Sequence, residues 1–538
     1  MCGIAGFCNF NENFEENTDY WNFRLEKMRA VLAHRGNDAR GRFLKKHIGL
    51  SHSRLAIRDI LCGDQPMTRT HNGYDYTICY NGEIYNTDEL IPELSENGFV
   101  CSTTSDTEVI LYAYIHWGAD FVSRLNGIFA FAIWDAAKNR LLLYRDRVGV
   151  KPLFFAIRGD SLVFGSEPKA CFAHPAVKPE LDKQGLQELL AIGPAHTSGL
   201  SLFKDLFEVL PGHFMIYSKD GLHDETYWEL TSREHTDSYQ DTVAHTRFLV
   251  EDAIKRQMVS DVPVCTFLSG GIDSSIVTAI AANYMNTRGK TLNTFSFDFK
   301  DNDRYFKANA FQPERDLPYV NRMLEEYETA HSYLECDENA LFKALFAAVD
   351  AKDMPGMTDV DSSLLYFCSL VSRKNKVALT GECADEIFGG YPWFYRKELL
   401  ERYGFPWSSD VAPRLALLRN DVALELDLSD YQAFRYEESR SKAPLLYGET
   451  GEDESRRVIG YLNIKWFMQT LLDRMDRTSM YSELEARVPF ADHRIIEYVF
   501  NVPWHMKYQN GVEKTLLRDA FADVLPPELL HRKKSPYP

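Results

Sequence analysis

The stretch VPVCTFLSGGIDSSIVTAIAANYM, residues 262–285, decides the fold of the second half of the chain. An apolar strand leads into a glycine turn, and an apolar helix follows at once. The segment KVALTGECADEIFGG, residues 376–390, repeats the order strand, turn and helix. Strands that alternate with helices are typical of a parallel sheet. The sequence therefore predicts a doubly wound α/β domain with extra helices over residues 241–538.

The first half of the chain, residues 1–218, has a different pattern. Apolar runs such as YDYTICYNGEIYN, residues 74–86, are short, and turn residues separate them. This pattern indicates mostly antiparallel sheets, with helices predicted near residues 20–33 and 107–117. The polar stretch LTSREHTDSYQD, residues 230–241, indicates a linker, which we place at residues 219–240. The predicted class is a two-domain protein, α+β followed by α/β.

The composition of the 538-residue chain restricts its function. The formal net charge of −18 argues against a nucleic-acid partner or an anionic membrane surface. The ten cysteines are scattered without a C-x-x-C pair, and no run of about 18 apolar residues occurs. We therefore expect a cytoplasmic protein without a membrane span, a zinc cluster or a disulfide framework. The ending HRKKSPYP has the character of neither a helix cap nor a disordered tail, so we expect the natural chain to continue beyond it.

The turn SGGIDSS, residues 269–275, is predicted to bind phosphate. Adjacent glycines let the backbone curl around an anion, and the helix that follows points its first N–H groups at it. The carboxylate of Asp273 would repel phosphate, and Mg²⁺ removes that conflict because it binds both. A second carboxylate is expected from GECADE, residues 381–386, and we assign Asp385 to the same ion. The alternative for both segments is an ordinary capped turn between strand and helix.

The first residues, MCGIAGF, place a thiol at position 2. Removal of Met1 would leave the thiol and a free α-amine on one residue, and such an amine has a pKa of about 7.7–8.0. That amine could accept the thiol proton, as in catalysis by an N-terminal nucleophile. The alternative is that Cys2 is only a small buried apolar residue.

The two halves together resemble the glutamine-dependent asparagine synthetases, which join a class II, N-terminal-nucleophile amidotransferase to a domain of the ATP pyrophosphatase type. In the first half the resemblance rests on MCGIAGF, AHRGNDARG, SHSRLAIRD, YNGEIYN, TTSDTEVIL and RDRVGVKPLFF. In the second half it rests on FLSGGIDSS, TGECADEIFGGYPWF, EARVPFADH and GVEKTLLRD. It covers nearly the whole chain. It implies an αββα sandwich with glutaminase activity at residues 1–218 and an ATP-dependent synthetase domain at residues 241–538.

In the first half the resemblance makes Cys2 the glutaminase nucleophile, with its own amine as the base. Arg54 and Asp106 would hold the carboxylate and the ammonium group of bound glutamine. The side-chain amide of Asn86 and the N–H of Gly82 would stabilise the oxyanion. The residues expected to bind glutamine are Arg54, Leu55, Ala56, Ile57, Arg58, Asn81, Gly82, Glu83 and Asp106.

In the second half the resemblance implies an acyl-adenylate site. Glu382 would support adenylate formation and deprotonate ammonia, and Lys514 would meet the charge that builds on the α-phosphate. Arg487 would face the acceptor, with a structural salt bridge as its alternative. The residues expected to bind ATP are Leu268, Ser269, Gly270, Gly271, Asp273, Ser274, Ser275, Phe297, Thr380 and Gly381, and those expected to hold Mg²⁺ are Asp273 and Asp385. The expected catalytic residues of both halves are Cys2, Asn81, Gly82, Asn86, Glu382 and Lys514.

The chain departs from the family pattern at three positions. Asn37 stands where proline is usual, Pro168 where an aliphatic residue is usual, and Cys383 where glycine or another small residue is expected. None of these changes removes a reactive group. We expect Cys383 to narrow the adenylate pocket.

These features predict an enzyme that makes asparagine from aspartate, ATP and glutamine, with glutamate, AMP and diphosphate as products. Ammonia would cross between the two sites through an apolar passage shielded from water. The implied partners are these small molecules, and the family is often homodimeric. Two alternatives stay open. One is a glutamine-dependent amidotransferase that acts on another carboxylate, such as a cell-wall precursor or a secondary metabolite, and the other is a binding protein that has lost turnover.

Overall fold

The computed structural model describes residues 2–308, 314–408 and 410–533. The strands of the first half are β1 Cys2–Asn9, β2 Ala39–Lys45, β3 Ile48–Arg54, β4 Met67–His71, β5 Tyr74–Ile84, β6 Gly127–Asp135, β7 Arg140–Arg145, β8 Phe154–Arg158, β9 Ser161–Gly165, β10 Phe207–Glu208, β11 His213–Ser218 and β12 Gly221–Thr226. They form two six-stranded antiparallel sheets, with the orders β10-β8-β9-β1-β3-β2 and β12-β11-β7-β6-β5-β4.

The two sheets pack face to face. Ile4 and Leu50 of the first sheet share one buried cluster with Ala130 and Met215 of the second. The helices of this half are α1 Thr18–Ala30, α2 Thr87–Glu96, α3 Asp106–Trp117, α4 Pro168–Phe172 and α5 Lys183–Gln187. Helices α1 and α4 cover the first sheet, and α2 and α3 cover the second. The layers follow the order helix, sheet, sheet, helix, which confirms the predicted αββα sandwich. Pro168 is the first residue of α4, a position that tolerates proline because no helical N–H is lost there.

The predicted start of the linker is wrong. Strand β12 pairs with β11 along its whole length, so the first domain includes residues 221–226. The N–H groups of Tyr227 and Trp228 also donate to the carbonyl of Gly212. The sequence pattern missed β12 because an exposed edge strand needs few apolar side chains, and GLHDET carries one.

The second half is built on one parallel sheet. Its strands are β13 Val264–Phe267, β14 Leu292–Phe299, β15 Thr329–Cys336, β16 Val377–Leu379 and β17 Glu485–Arg487. Their order is β15-β14-β13-β16-β17, and every pairing in this sheet is parallel. Strands β14 and β15 are therefore added on one side of β13, and β16 and β17 on the other side, so the strand order reverses between β13 and β16. Such a switch point opens a crevice at the carboxyl ends of the strands, where ligands of doubly wound folds bind.

Helices pack on both faces of this sheet and extend beyond it. They are α6 Tyr239–Arg256, α7 Ile272–Asn286, α8 Asn302–Tyr305, α9 Leu317–Glu326, α10 Glu338–Lys352, α11 Thr358–Val371, α12 Ala384–Phe388, α13 Lys397–Leu400, α14 Ala412–Leu415, α15 Asn420–Leu426, α16 Leu428–Ser441, α17 Gly451–Leu462, α18 Met468–Met480, α19 His493–Asn501, α20 Trp504–Lys507, α21 Thr515–Ala520 and α22 Pro527–Leu530. Within the three described stretches, none of the helices is long and apolar enough to cross a membrane.

The two domains share a continuous apolar core. Leu55, Ile128 and Val150 of the first domain belong to the same buried cluster as Val250 and Ala491 of the second. Burial of apolar area contributes about 25 cal/mol per Å². Apolar burial between the domains therefore contributes to holding them together.

Candidate functional site

The N-terminal strand brings the thiol of Cys2 beside residues that are distant in sequence. In the β1–β3 register, Cys2 lies directly opposite Arg54. The backbone N–H of Cys2 donates to Oδ1 of Asn81 on β5, at 2.9 Å. Cys2 thus lies between the two sheets, where the antiparallel pairing and one side-chain amide determine its position.

A pocket of about 30 Å³ opens beside the Cys2 thiol. Of the residues predicted to bind glutamine, all line this pocket except Ala56 and Asn81. The N–H of Ala56 donates to Asp38 at 2.7 Å instead. The sequence analysis missed five further lining residues, which are Gly63, Gln65, Tyr80, Ser105 and Thr107. Ser105 and Thr107 flank the predicted Asp106, so adjacency along the chain was the signal that could have found them.

The two predicted clamps for glutamine are both engaged with protein groups. The buried guanidinium of Arg54 donates to the Asp64 carboxylate at 3.0 Å and to the Asp59 carbonyl at 2.6 Å. The Asp106 carboxylate accepts from the Tyr80 hydroxyl at 2.9 Å and from the Ile84 N–H at 3.0 Å. Asp64 is exposed. Its carboxylate binds the Arg54 guanidinium, which the resemblance assigns to the carboxylate of glutamine. A bound carboxylate would therefore replace Asp64 on this guanidinium.

The predicted oxyanion role of Asn86 stays a prediction, and the hydrogen bonds of its side chain do not favour it. Its amide nitrogen donates to the Arg124 carbonyl at 2.9 Å, and its oxygen accepts from the Asn126 N–H at 2.8 Å. Both groups of the side chain are used to hold the loop before β6, and Asn86 does not line the pocket. The amide nitrogen of Asn81, by contrast, is buried beside Cys2 and makes no hydrogen bond to any described residue. Asn81 is the amide donor that the geometry offers.

Gly82 brings its backbone close to the neighbouring strand. A Cβ at this position would lie 2.2 Å from the Ile128 carbonyl oxygen, so only glycine fits. The residue lines the pocket beside Cys2, and its N–H is the second predicted donor to an oxyanion. The required absence of a side chain explains why the motif YNGE has glycine at this point.

We expect Asn81→Ala to lower the kcat of glutaminase by about 10²–10³-fold, because one preorganised donor to the oxyanion is lost. Glutamate release from glutamine at saturating substrate measures the effect. Asn86→Ala is the matched comparison, because it removes the side-chain amide of the other asparagine in YNGEIYN, which the resemblance made the oxyanion donor. A larger loss of kcat in folded Asn86→Ala than in Asn81→Ala would contradict the assignment.

The environment of Cys2 opposes formation of the thiolate. Burial raises the pKa of the Cys2 thiol, while the charge of the amino terminus, the backbone of Leu55 and the guanidinium of Arg54 lower it to a smaller extent. A thiol in this setting is mostly protonated at neutral pH and requires a base to react. Among the described residues, no histidine lines the pocket that could serve as that base.

The second predicted site forms where the turns after β13 and β16 meet. A Cβ on Gly381 would lie 2.6 Å from the Ser274 N–H nitrogen, so the two turns are in contact. The hydroxyls of Ser269 and Ser274 are 2.9 Å apart, and the hydroxyl of Ser274 also donates to the Gly271 carbonyl at 3.1 Å. The 15-residue helix α7 begins at Ile272, directly after the glycines. The predicted phosphate turn therefore lies at the switch point of the sheet.

The remaining predicted ATP residues lie at the same edge of the sheet. The Leu268 N–H donates to the Phe295 carbonyl at 2.8 Å, which carries the pairing of β13 and β14 into the turn. The Phe297 ring on β14 contacts the Phe367 ring at a centroid distance of 5.3 Å. The Thr380 N–H donates to the Arg487 carbonyl at 3.0 Å and so joins the second turn to β17.

Lys514 joins the two carboxylates that the sequence analysis assigned to a metal ion. Its ammonium nitrogen lies 2.8 Å from an oxygen of Asp273 and 2.8 Å from an oxygen of Asp385. Burial lowers the pKa of Lys514, but the two carboxylates raise it further, so the lysine carries a positive charge. Its backbone has φ of 55°, which is unfavourable for a residue with a side chain. Strained residues of this kind are concentrated at functional sites.

Glu382 has a cationic partner that the motifs did not indicate. Arg474 of α18 donates to Oε1 of Glu382 at 2.7 Å. The next residue, Cys383, is buried and has φ of 77°. A left-handed backbone disfavours a Cβ, which accounts for the glycine expected at this position from the family resemblance. Cys383 therefore introduces strain beside Glu382.

Arg487 is a structural residue and does not face an acceptor site. It is fully buried, donates to Glu485 at 2.5 Å and reaches the carbonyls of Gln257 and Val259 at 2.6 Å each. It also lies 3.6 Å from Glu83 of the first domain. Its alternative interpretation, a structural salt bridge, is therefore confirmed.

Comparisons with known proteins cover the whole chain. The sequence profile of the asparagine synthase family matches residues 245–538, and that of the glutamine amidotransferase domain matches residues 1–228. The chain is 49% identical over 539 residues to asparagine synthetase (glutamine-hydrolyzing) 3 of Bacillus subtilis, covering 100% of this chain and 87% of that protein. Asparagine synthetase (glutamine-hydrolyzing) 1 of the same organism is 31% identical over 576 residues, with the same coverage. The solved glutamine phosphoribosylpyrophosphate amidotransferase from B. subtilis has 20% identity and a TM-score of 0.32 over 54% of this chain and 64% of that chain, too weak a similarity to support an inference.

The fold and the two family profiles define a class of protein, in which a glutamine amidotransferase domain is joined to an asparagine synthase domain. The thiol pocket lies in the first domain and the paired turns lie in the second. The chain belongs to the asparagine synthase family, and it matches that family over its full length.

Proposed function

We propose that the protein makes asparagine from aspartate, ATP and glutamine, with AMP, diphosphate and glutamate as products. The observation that supports the proposal is that one chain carries both a thiol pocket and a pair of strand-to-helix turns with the residues that the two half-reactions would need. Cys2 lies beside the Asn81 amide and a pocket lined by Arg54 and Asp106. In the second domain Lys514 bridges Asp273 and Asp385, and Glu382 on the turn after β16 pairs with Arg474. The first centre supplies what the second consumes, because ammonia released at Cys2 is the nucleophile needed near Glu382.

In the first half-reaction the Cys2 sulfur attacks the side-chain amide carbon of glutamine. The proposed base is the α-amine of Cys2 after removal of Met1, since the described lining residues include no histidine. The Asn81 amide and the Gly82 N–H would stabilise the oxyanion. The C–N bond then breaks, and the amine group returns its proton to the leaving ammonia. Water hydrolyses the thioester and releases glutamate.

In the second half-reaction the side-chain carboxylate of aspartate attacks the α-phosphorus of ATP. Diphosphate leaves along the turn of residues 269–275, and β-aspartyl-AMP remains. Lys514 would move from its carboxylates to the negative charge that builds on the phosphate. Ammonia then attacks the acyl carbon, Glu382 takes its proton, and AMP leaves with its bonding electron pair.

The residues at the phosphate turn fit a Mg²⁺ ion. Asp273 and Asp385 converge on one cationic atom, the Lys514 nitrogen, at 2.8 Å each, so their oxygens already share a cation position. Mg²⁺ favours oxygen ligands and completes its shell with phosphate oxygens and water. Bound there, the ion would neutralise the phosphates of ATP. Asp273 and Asp385 would hold it, and Lys514 would be released.

We expect Asp385→Asn to raise the Mg²⁺ concentration needed for half-maximal AMP formation by about tenfold or more, because one charged oxygen ligand is lost. A titration of Mg²⁺ at fixed ATP measures the shift. Asp359→Asn, an exposed carboxylate on α11, is the control and should leave the midpoint unchanged. Identical midpoints for Asp385→Asn and the wild type would contradict the metal assignment.

The acceptor is tested by following AMP, diphosphate and glutamate with candidate carboxylates. We expect AMP formation to require aspartate and to match asparagine formed one to one. AMP formation that is independent of aspartate but dependent on another carboxylate would favour an amidotransferase of different specificity. Release of glutamate without any AMP would favour a protein that has lost synthesis.

The location and assembly are part of the same proposal. All ten cysteines lie in the described part of the chain, and none of them forms a disulfide. This supports a reducing, cytoplasmic compartment. The shared apolar core supports direct transfer of ammonia, but buried charges such as Arg487 and Glu83 also occupy the interface. An apolar passage therefore stays a prediction, as does the homodimer, which light scattering tests.

A further inference from the structure

A fully buried arginine joins the nucleophile to the opposite domain. Arg35 follows α1, and its Nε donates to the carbonyl of Cys2 at 3.1 Å. One terminal nitrogen of Arg35 donates to Glu167 of the first domain at 2.8 Å. The other donates to Asp476 of the second domain, also at 2.8 Å. All three nitrogens are used, so the position of the Cys2 carbonyl depends on where the two carboxylates lie.

Asp476 is itself held rigidly on α18. Its second oxygen accepts from the Lys151 ammonium at 3.0 Å, and both Asp476 and Lys151 are buried. Burial raises the pKa of Asp476, but Arg35 and Lys151 outweigh it and lower that pKa, so the carboxylate is charged. A buried charge pair of this kind is sensitive to removal of either partner. The carboxylate therefore acts as a fixed anchor for Arg35.

The same helix also reaches the synthetase site. Two residues before Asp476, Arg474 donates to Glu382 at 2.7 Å. Helix α18 thus contacts the proposed base of one half-reaction and, through Arg35, the nucleophile of the other. Arg474 and Asp476 are only two residues apart on α18, and a helix is rigid over that length. The contacts of Arg474 with Glu382 and of Asp476 with Arg35 therefore couple the positions of the two centres.

We propose that Asp476, a residue of the synthetase domain, is a positioning residue of the glutaminase centre and acts on Cys2 through Arg35. The glutaminase centre is complete only when the first domain is docked on α18. This inference rests on the proposed role of Cys2 as the nucleophile. It adds a group from the opposite domain that the motifs of the first half do not contain.

Asp476→Asn tests the proposal because it keeps the shape of the side chain and removes its charge. We expect the kcat of glutamine hydrolysis to fall about tenfold or more, since a small displacement of a reacting group is costly. The pH midpoint for alkylation of Cys2 by iodoacetamide should move to lower pH, because Arg35, which bonds the Cys2 carbonyl, loses one of the two carboxylates that offset its positive charge. The amino terminus, Arg54 and Glu485 also act on this thiol, and the variant leaves them in place.

Asp473→Asn is the matched control on the same helix. Its carboxylate lies 3.5 Å from Lys352 and has no contact with Arg35. We expect its kcat and its alkylation midpoint to stay within about twofold and about 0.2 pH units of the wild type. Asp476→Glu restores the charge and should return the alkylation midpoint toward the wild-type value. Ammonia-dependent synthesis by Asp476→Asn verifies that the chain is folded.

A folded Asp476→Asn enzyme with the kcat and alkylation midpoint of Asp473→Asn would overturn the inference. If Asp476→Asn does not fold, Arg35→Lys replaces it, since lysine keeps the charge but cannot make three directed bonds. Arg35→Lys with unchanged glutaminase kcat would equally overturn it. Failure of the proposed function gives a different result, namely glutamine-dependent synthesis that survives Cys2→Ala.

Discussion

Cys2→Ala is expected to abolish asparagine synthesis from glutamine and to leave synthesis from ammonium salts intact. The loss with glutamine should be on the order of 10³-fold or more, because no other group can form the thioester. The ammonia-dependent rate should stay within about twofold, since the synthetase site lies in the other domain and shares no reacting group with Cys2. Coupled detection of AMP with each nitrogen source measures both rates.

Cys8→Ala is the control for this prediction. Cys8 lies on the same strand, is fully buried, and packs in the core between the two sheets rather than in the pocket. Removal of its thiol loses packing contacts in the core and lowers stability. The variant should still keep its glutamine-dependent rate per folded molecule. Loss of both activities in Cys2→Ala, with a normal thermal transition, would contradict the division of labour between the domains.

Lys514→Ala is expected to abolish synthesis from both nitrogen sources while glutamine hydrolysis continues. The loss should be about 10²–10³-fold or more in kcat, because the positive charge that meets the developing phosphate charge is removed. Asp273 and Asp385 lose the ammonium that occupies their shared cation position at the same time, so the variant should need less Mg²⁺. AMP formation and glutamate release, measured in the same assay, separate the two effects.

Lys397→Ala is the control, because this lysine is exposed and pairs only with Glu401 among the described residues. A surface change of this kind should alter the rates by about twofold at most. If Lys514→Ala lowers glutaminase and synthetase rates equally, then Lys514 supports the fold rather than the phosphate chemistry. A thermal transition of the variant recorded with and without MgATP distinguishes these outcomes.

The two glycine turns illustrate how much of the synthetase site could be predicted from the chain. A strand, a glycine turn and a helix in close succession require a parallel sheet, and the end of such a strand is where phosphate binds. The positions of Ser269, Asp273 and Glu382 followed from that local pattern. Arg474 did not, because it lies on a distant helix whose charged residues look like an ordinary solvated face.

Asn81 and Asn86 show the limit of motif reasoning in the glutaminase site. Both asparagines stand in the stretch YNGEIYN, and local sequence does not say which amide is free. The strand pairing of β5 places Asn81 beside Cys2, whereas the turn after β5 directs Asn86 to the backbone of Arg124 and Asn126. The distinction required knowledge of which carbonyls lie nearby.

The sequence by itself predicted the two domain classes and the phosphate turn, and its resemblance to a known family predicted the nucleophile and most residues that line the pocket beside Cys2. The domain classes and the turn depend on the local order of apolar and turn residues, whereas the pocket residues followed from motifs that the chain shares with the family. Only the tertiary structure decided that β12 belongs to the first domain, that Lys514 bridges Asp273 and Asp385, and that Asp476 reaches Arg35 across the interface. The contacts of Lys514 and Asp476 join residues far apart in the chain, and such partners become defined only when buried charges are paired during packing. Strand β12 was missed for a different reason, because an exposed edge strand needs few apolar side chains.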